Sequence, residues 1–157
     1  MSSVDPRDVK QGDWLLLDQV QDPGNIGTMV RTADAAGFSG VIFGKGTASP
    51  YNPKVVRAMQ GSQFHLTLAR GDLNDWIRDL IKNDVPVYGT VLDPQAVDYR
   101  KVNSADNFGL VMGNEGNGMQ KKLLNLTTKN LYIPIRGRAE SLNVAVAAGI
   151  LMFELIK

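Results

Sequence analysis

The chain has 157 residues, 43% of them apolar and 21% charged, with a formal net charge of +1. That length and balance fit one domain with a sizeable core and exclude a disordered polymer. With no cysteine and one histidine, the chain excludes disulfides, thiolate nucleophiles and cysteine-ligated metals, shows no metal-ligand spacing, and points to a reducing cytoplasm. The stretch Met1 to Asp13 is polar, with Pro6, and is not a secretory leader. The apolar run Val144 to Phe153 is too short to span a bilayer, and Glu154 follows it. The near-neutral charge lacks the basic surplus of a dedicated nucleic-acid binder. Any such affinity has to come from a local patch, a dimer or a further domain.

Along the chain, strand and helix patterns alternate. Trp14 to Val20 is apolar between Gly12-Asp13 and Asp22-Pro23-Gly24 and reads as the first strand. Ile26 to Ala36 has helical spacing at Ile26, Met29, Val30 and Ala33, with Gly37 as its stop. Gly40 to Phe43 is a short buried strand before Gly44-Lys45-Gly46, and Pro53 to Gln60 is a helix with proline in its first turn. Phe64 to Leu68 is strand-like. Leu73 to Lys82 is an amphipathic helix with Leu73, Trp76, Ile77, Leu80 and Ile81 on one face. Val85 to Leu92 and Phe108 to Met112 are strands, Lys121 to Leu126 a helix, Leu131 to Ile135 a strand, and Ser141 to Ile156 the closing helix. The order predicts an α/β domain over residues 1–157: a mostly parallel, Rossmann-like sheet with helices on both faces. The closing helix has almost no polar face, so it is either a central core helix or is covered by its own sheet and a second subunit.

Three segments put small and polar residues where a strand hands over to a helix, the place where α/β proteins build sites. In Asn25-Ile26-Gly27 to Arg31, the arginine either pairs with Asp34 on the helix surface or joins Asn25 and the bare Gly27 backbone in a phosphate-recognising corner. Gly113-Asn114-Glu115-Gly116-Asn117-Gly118 spaces its glycines as G-x-x-G-x-G, which is not the dinucleotide fingerprint. Gly44-Lys45-Gly46-Thr47 likewise misses the phosphate-loop pattern, since Ser39 stands where its first glycine belongs. Glu115 is solvated, binds a substrate hydroxyl, or fixes a loop by accepting backbone N–H groups. Ser141 reads as a helix N-cap with Asn143 in the first turn. His65 reads as a packed or strand-surface residue, and Trp14 and Trp76 as packing residues.

Taken in order, these segments resemble the three motifs of the SpoU (TrmH-like) branch of the SPOUT RNA methyltransferases. The first runs from Asn25 to Ala33 and the second from Leu110 to Gly118. The third runs from Ile133 through Arg136-Gly137 and Glu140-Ser141-Leu142-Asn143 to Gly149. The likeness covers about residues 14–157, and Tyr51 to Ala58 is similar to the connecting segment of bacterial rRNA-modifying members. The resemblance implies that the C-terminal part is threaded into a deep trefoil knot, an exception to ordinary chain topology. It also implies S-adenosylmethionine as cofactor, held in a bent shape by backbone of the second and third motifs. Here the matching residues are Gly113, Ile133 and Leu142, with Asn114 and the strand end at Thr90 to Leu92.

The implied reaction is methyl transfer to a ribose 2′-hydroxyl of RNA, ribosomal RNA ahead of transfer RNA. A catalytically silent knotted RNA-binding module is the alternative. Arg31 matches the family arginine that engages RNA phosphate or helps activate the hydroxyl, and Asn25 the residue that positions the nucleotide. Glu115, Ser141 and Asn143 match residues that shape the catalytic pocket. The family also implies a homodimer, here through the C-terminal helix, and no metal or membrane. Many members carry an N-terminal RNA-binding domain, and only about a dozen residues precede the first strand here, so the expectation is either an excised catalytic domain or a minimal enzyme relying on its dimer. The low basic surplus favours the excised domain, with weak, salt-sensitive RNA binding.

Overall fold

The computed structural model describes residues 11–103 and 105–156. The leader reading of the first ten residues therefore lies outside the described residues. Among the described residues seven strands form one parallel sheet in the order β3-β2-β1-β6-β4-β7-β5. They are β1 (Trp14–Leu17), β2 (Gly40–Gly44), β3 (Thr67–Gly71), β4 (Val87–Thr90), β5 (Val97–Asp98), β6 (Gly109–Met112) and β7 (Lys129–Tyr132). The helices are α1 (Pro23–Ala35), α2 (Pro53–Met59), α3 (Leu73–Lys82), α4 (Lys121–Leu124) and α5 (Val144–Leu155). This is the expected α/β architecture.

Strand alternation divides the core into two layers. Leu15 and Leu17 of β1 point to the layer made with α1, α2 and α5; Trp14 and Leu16 point to the layer made with α3 and α4. In the second layer, Trp14 and Trp76 meet with ring centroids 5.6 Å apart, which confirms both as packing residues. The apolar face of α3 is buried at Leu73, Trp76, Ile77 and Leu80.

Several element boundaries differ from the sequence reading, each for a local reason. Strand β1 stops at Leu17 because Gln19 takes a left-handed φ of 58° and turns the chain aside. Helix α1 starts at Pro23, since the Asp22 carboxylate accepts the Asn25 N–H and proline occupies the first turn. The strand-like stretch at Phe64 is instead a 3₁₀ turn over Ser62–Phe64 that leaves Phe64 exposed, and β3 begins at Thr67. Strand β7 lies two residues early, because Pro134 has no N–H to give a ladder and the chain leaves the sheet at Ile133. The two-residue β5 had no visible pattern at all.

Helix α1 is gripped from two sides. A Cβ on Gly27 would sit 2.3 Å from the Ala58 Cβ and 2.5 Å from the Ala58 carbonyl, while Gly149 of α5 lies against Thr32. Gly27 therefore serves helix packing. Its backbone is covered by α2, which removes it from the ligand-facing corner envisaged with Arg31. Gly27→Ala is expected to lower stability by about 1–3 kcal/mol through overpacking. An unchanged urea midpoint would contradict that packing.

Candidate active site

Ligands of open α/β sheets bind beyond the carboxyl ends of the strands, where the strand order reverses. Here the order reverses at β1, with β2 on one side and β6 on the other. A cavity of about 340 Å³ opens at the ends of β6, β4 and β7. The sequence-derived cofactor residues Thr90, Leu92, Gly113, Asn114, Ile133 and Leu142 all line it, together with Glu115 and Ser141. Asn25, Arg31 and Asn143 do not.

The glycine loop after β6 is a tight reverse turn. Asn114 and Gly118 exchange backbone hydrogen bonds of 3.1 and 2.9 Å, and the Asn114 Oδ1 accepts the N–H groups of Gly116 and Asn117. A Cβ on Gly113 would fall 2.2 Å from the Met119 nitrogen and 2.3 Å from the Gly118 carbonyl carbon. Only glycine lets the strand end and the returning loop lie this close. The Thr90 hydroxyl donates to the Val111 carbonyl at 2.9 Å, so this side chain is turned into the sheet. Ile133 and Ile135 reach the cavity because β7 ends before them.

The second motif also fixes the first. The Glu115 carboxylate accepts the Gln21 N–H at 3.1 and 3.2 Å and the Asp22 N–H at 2.7 Å. Of the three readings of Glu115, the loop-fixing one describes its contacts. Asn114 Nδ2 donates to the Gln19 carbonyl at 2.7 Å, holding the left-handed residue that ends β1. Asp18 was missed in the sequence. Its carboxylate is 1% exposed and accepts both the Gln120 N–H and the Gln120 Nε2–H at 2.7 Å. It thereby anchors the far end of the glycine loop, and a lone acid closing an apolar strand was the available signal.

The third motif meets the first at two amides. Asn143 Nδ2 donates to Asn25 Oδ1 at 3.1 Å, and Asn143 Oδ1 accepts the N–H groups of Ala145 and Val146. Asn143, not Ser141, is therefore the N-cap of α5; Ser141 stands two residues earlier, exposed on the cavity wall. Asn143→Ala is expected to cost about 1 kcal/mol from the lost cap alone. A thermal midpoint equal to that of the unaltered chain would count against the cap.

Arg31 is half-buried on α1. One terminal nitrogen donates to the Thr28 hydroxyl at 3.3 Å, and its buried Nε has no hydrogen-bond partner among the described residues. The surface pair with Asp34, one of the two readings from the sequence, is not made. Asp34 instead meets His65 Nδ1 at 2.9 Å, and hydrogen bonds from His65 and Ser62 hold its carboxyl below the usual range. His65 is thus a surface residue hydrogen-bonded to Asp34. A buried unpartnered guanidinium nitrogen costs stability.

The apolar closing helix is covered on one side. Ala145, Ala148, Leu151, Met152 and Leu155 are buried, while Val146 and Phe153 are 52% and 53% exposed. These two lie seven residues apart on one helical face. Among the described residues no three His, Cys, Asp or Glu side chains gather as a metal site, and no helix is long and apolar enough to cross a membrane.

With this geometry in hand, comparison with known proteins gives a consistent answer. The SpoU rRNA Methylase family matches residues 14–153. The chain is 50% identical over 141 residues to the 23S rRNA (guanosine(2553)-2′-O)-methyltransferase RlmP of Bacillus subtilis, covering 90% of this chain and 56% of that protein. It therefore spans little more than half the length of that relative. Among solved structures, an AdoMet-bound rRNA methyltransferase from Sinorhizobium meliloti superposes with a TM-score of 0.90 at 40% identity, over 98% of this chain and 60% of the other. The SpoU methyltransferase AviRb from Streptomyces viridochromogenes, in complex with AdoMet, gives 0.84 at 31% identity over 98% and 60%.

Proposed function

The chain belongs to the SpoU rRNA Methylase family, and from that membership we propose that it is an S-adenosylmethionine-dependent RNA 2′-O-ribose methyltransferase acting on ribosomal RNA. The observation that carries this reading is the strand-end cavity walled by the glycine loop and by the segment from Ile133 to Leu142. Its volume of about 340 Å³ falls in the range of small-ligand sites. Among the described residues that line it there is no Lys or Arg, and there is one carboxylate, Glu115. Such walls suit an adenosine carrying a cationic sulfonium better than a nucleotide phosphate. Gly113 lets the returning loop at Gly118 and Met119 lie directly against the strand end, which shapes this wall of the cavity. Thr90, Leu92, Gly113, Asn114, Ile133 and Leu142 would hold the cofactor, which supplies an electrophilic methyl group when bound.

The remaining task falls to this chain's side chains. A ribose 2′-hydroxyl is a weak nucleophile at neutral pH and has to be aligned and helped to lose its proton. Arg31 has a terminal nitrogen held only by a 3.3 Å bond to Thr28, and its planar guanidinium is suited to an RNA phosphate beside the reacting ribose. A guanidinium keeps its proton, so Arg31 orients and stabilises charge while phosphate or water accepts the proton. Asn25, joined to Asn143, positions the nucleotide, and Glu115 keeps the β1–α1 loop in place. Ser141 contributes a hydroxyl to the cavity rim.

The same reading includes the deep C-terminal knot, work in the cytoplasm, and a homodimer. The dimer reading is supported by the exposed Val146 and Phe153 on α5, an apolar stripe that a second copy would cover. Isothermal titration of S-adenosylmethionine tests the cofactor step. Saturable binding in about the 1 μM to 1 mM range is expected. No heat at millimolar cofactor would favour the silent RNA-binding module instead.

A further inference from the structure

A second cavity, of about 410 Å³, opens on the same edge of the sheet, at the ends of β2 and β3. Lys45, Ser49, Arg70 and Asp72 line it. Arg70 donates to the Ser49 hydroxyl at 2.5 Å, and its guanidinium carbon lies 5.2 Å from the centroid of the Tyr51 ring at the rim. Tyr51 is 60% exposed although it is a large aromatic residue, so its ring is free for a further contact. Lys45 pairs with Asp72 at 3.3 Å and remains largely in solvent. The helix that follows Tyr51 adds exposed Lys54 and Arg57. In a chain of net charge +1 this is a local cationic surplus beside an aromatic face.

This cavity is wired to the first one. The Thr47 hydroxyl donates to the Leu17 carbonyl at 3.0 Å and accepts the Val20 N–H at 3.2 Å. The Gln21 side-chain amide donates to the Gly46 carbonyl, and the Gln21 backbone N–H is held by Glu115. The loops after β2, β1 and β6 therefore form one continuous wall. Strands β2 and β6 are separated by two strand spacings, about 10 Å. A polynucleotide with one ribose at the first cavity would lay a neighbouring nucleotide near the second.

Resting on the methyltransferase reading, we propose that the second cavity is a subsite for a single-stranded RNA nucleotide flanking the methylated one. Its base stacks on the Tyr51–Arg70 platform and its phosphate lies toward Lys45. Aromatic faces and arginine planes are how unstacked RNA bases are gripped, and such stacking tolerates any base. Arg70 also holds Tyr51 in place and is a positioning residue as well as a contact.

Fluorescence polarisation with a labelled single-stranded RNA of mixed sequence tests this, using inorganic polyphosphate as a base-free competitor. Tyr51→Ala is expected to weaken RNA binding about tenfold, the effect of losing one stacked base. Tyr51→Phe should bind as the unaltered chain does, and polyphosphate binding should be unmoved by either change. Arg70→Ala should weaken both probes, while S-adenosylmethionine titration stays unchanged in every variant. Unaltered RNA binding by Tyr51→Ala, with the original chain binding both RNA and cofactor, would overturn the subsite alone. Equal losses of RNA and polyphosphate in all variants would reduce it to a phosphate contact and overturn the stacking. Absence of RNA binding by the original chain, with S-adenosylmethionine still bound, would overturn the subsite alone; absence of cofactor binding would overturn the methyltransferase reading.

Discussion

Arg31→Ala is expected to lower the rate of RNA methylation by about a hundredfold to a thousandfold, the usual cost of removing one preorganised charge-stabilising donor. Cofactor affinity should not change, since Arg31 does not line the cofactor cavity. The fold should also survive, because alanine favours a helix interior and Arg31 gives up one 3.3 Å bond to Thr28. Arg31→Lys should rescue little. An ammonium keeps the charge but loses the planar fork that can grip a phosphate with two parallel bonds. Single-turnover assays beside calorimetric titration of S-adenosylmethionine separate these effects. A wild-type rate in Arg31→Ala would remove this arginine from the chemistry, and a parallel loss of cofactor binding would assign it a different role.

Gly113→Ala is the second large effect. The added Cβ meets backbone, 2.2 Å from the Met119 nitrogen, and backbone cannot swing aside as a flexible side chain can. The glycine loop must move outward, and with it the cavity wall formed by residues 113 to 119. The expected loss of S-adenosylmethionine affinity is about a hundredfold, or ~3 kcal/mol. A stability cost of about 1–3 kcal/mol should accompany it. Gly137→Ala is the matched control, because a Cβ at that position meets nothing within 4 Å. If both variants bound cofactor like the original chain, the cavity would not be the cofactor site.

The sheet was legible because its strands are short apolar runs between turn residues, and α3 because its buried face repeats at helical spacing. Places where one residue overrides the pattern were less legible. Gln19 ends β1 by adopting a left-handed φ inside an apolar run, which no periodicity announces. In the sequence Asp22 and Pro23 read as loop punctuation, although an acid followed by proline is also a helix start. In the site, the residues that motif order assigned to the cofactor all line one cavity. What the sequence could not give was how the motifs touch. The Glu115 bonds to Gln21 and Asp22 and the Asn25–Asn143 contact join residues about a hundred positions apart. Gly27 shows the opposite error: a glycine inside a functional motif serves the packing of α1 on α2.

The most direct measurement supplies the protein with ribosomal RNA and S-adenosylmethionine carrying a deuterated methyl group, then identifies labelled nucleosides by mass spectrometry. The label is expected on the ribose of a 2′-O-methylnucleoside, and its rate of appearance should fall about a hundredfold or more with Arg31→Ala. Label on a base, or unlabelled ribosomal RNA under conditions where the cofactor binds, would contradict the assignment.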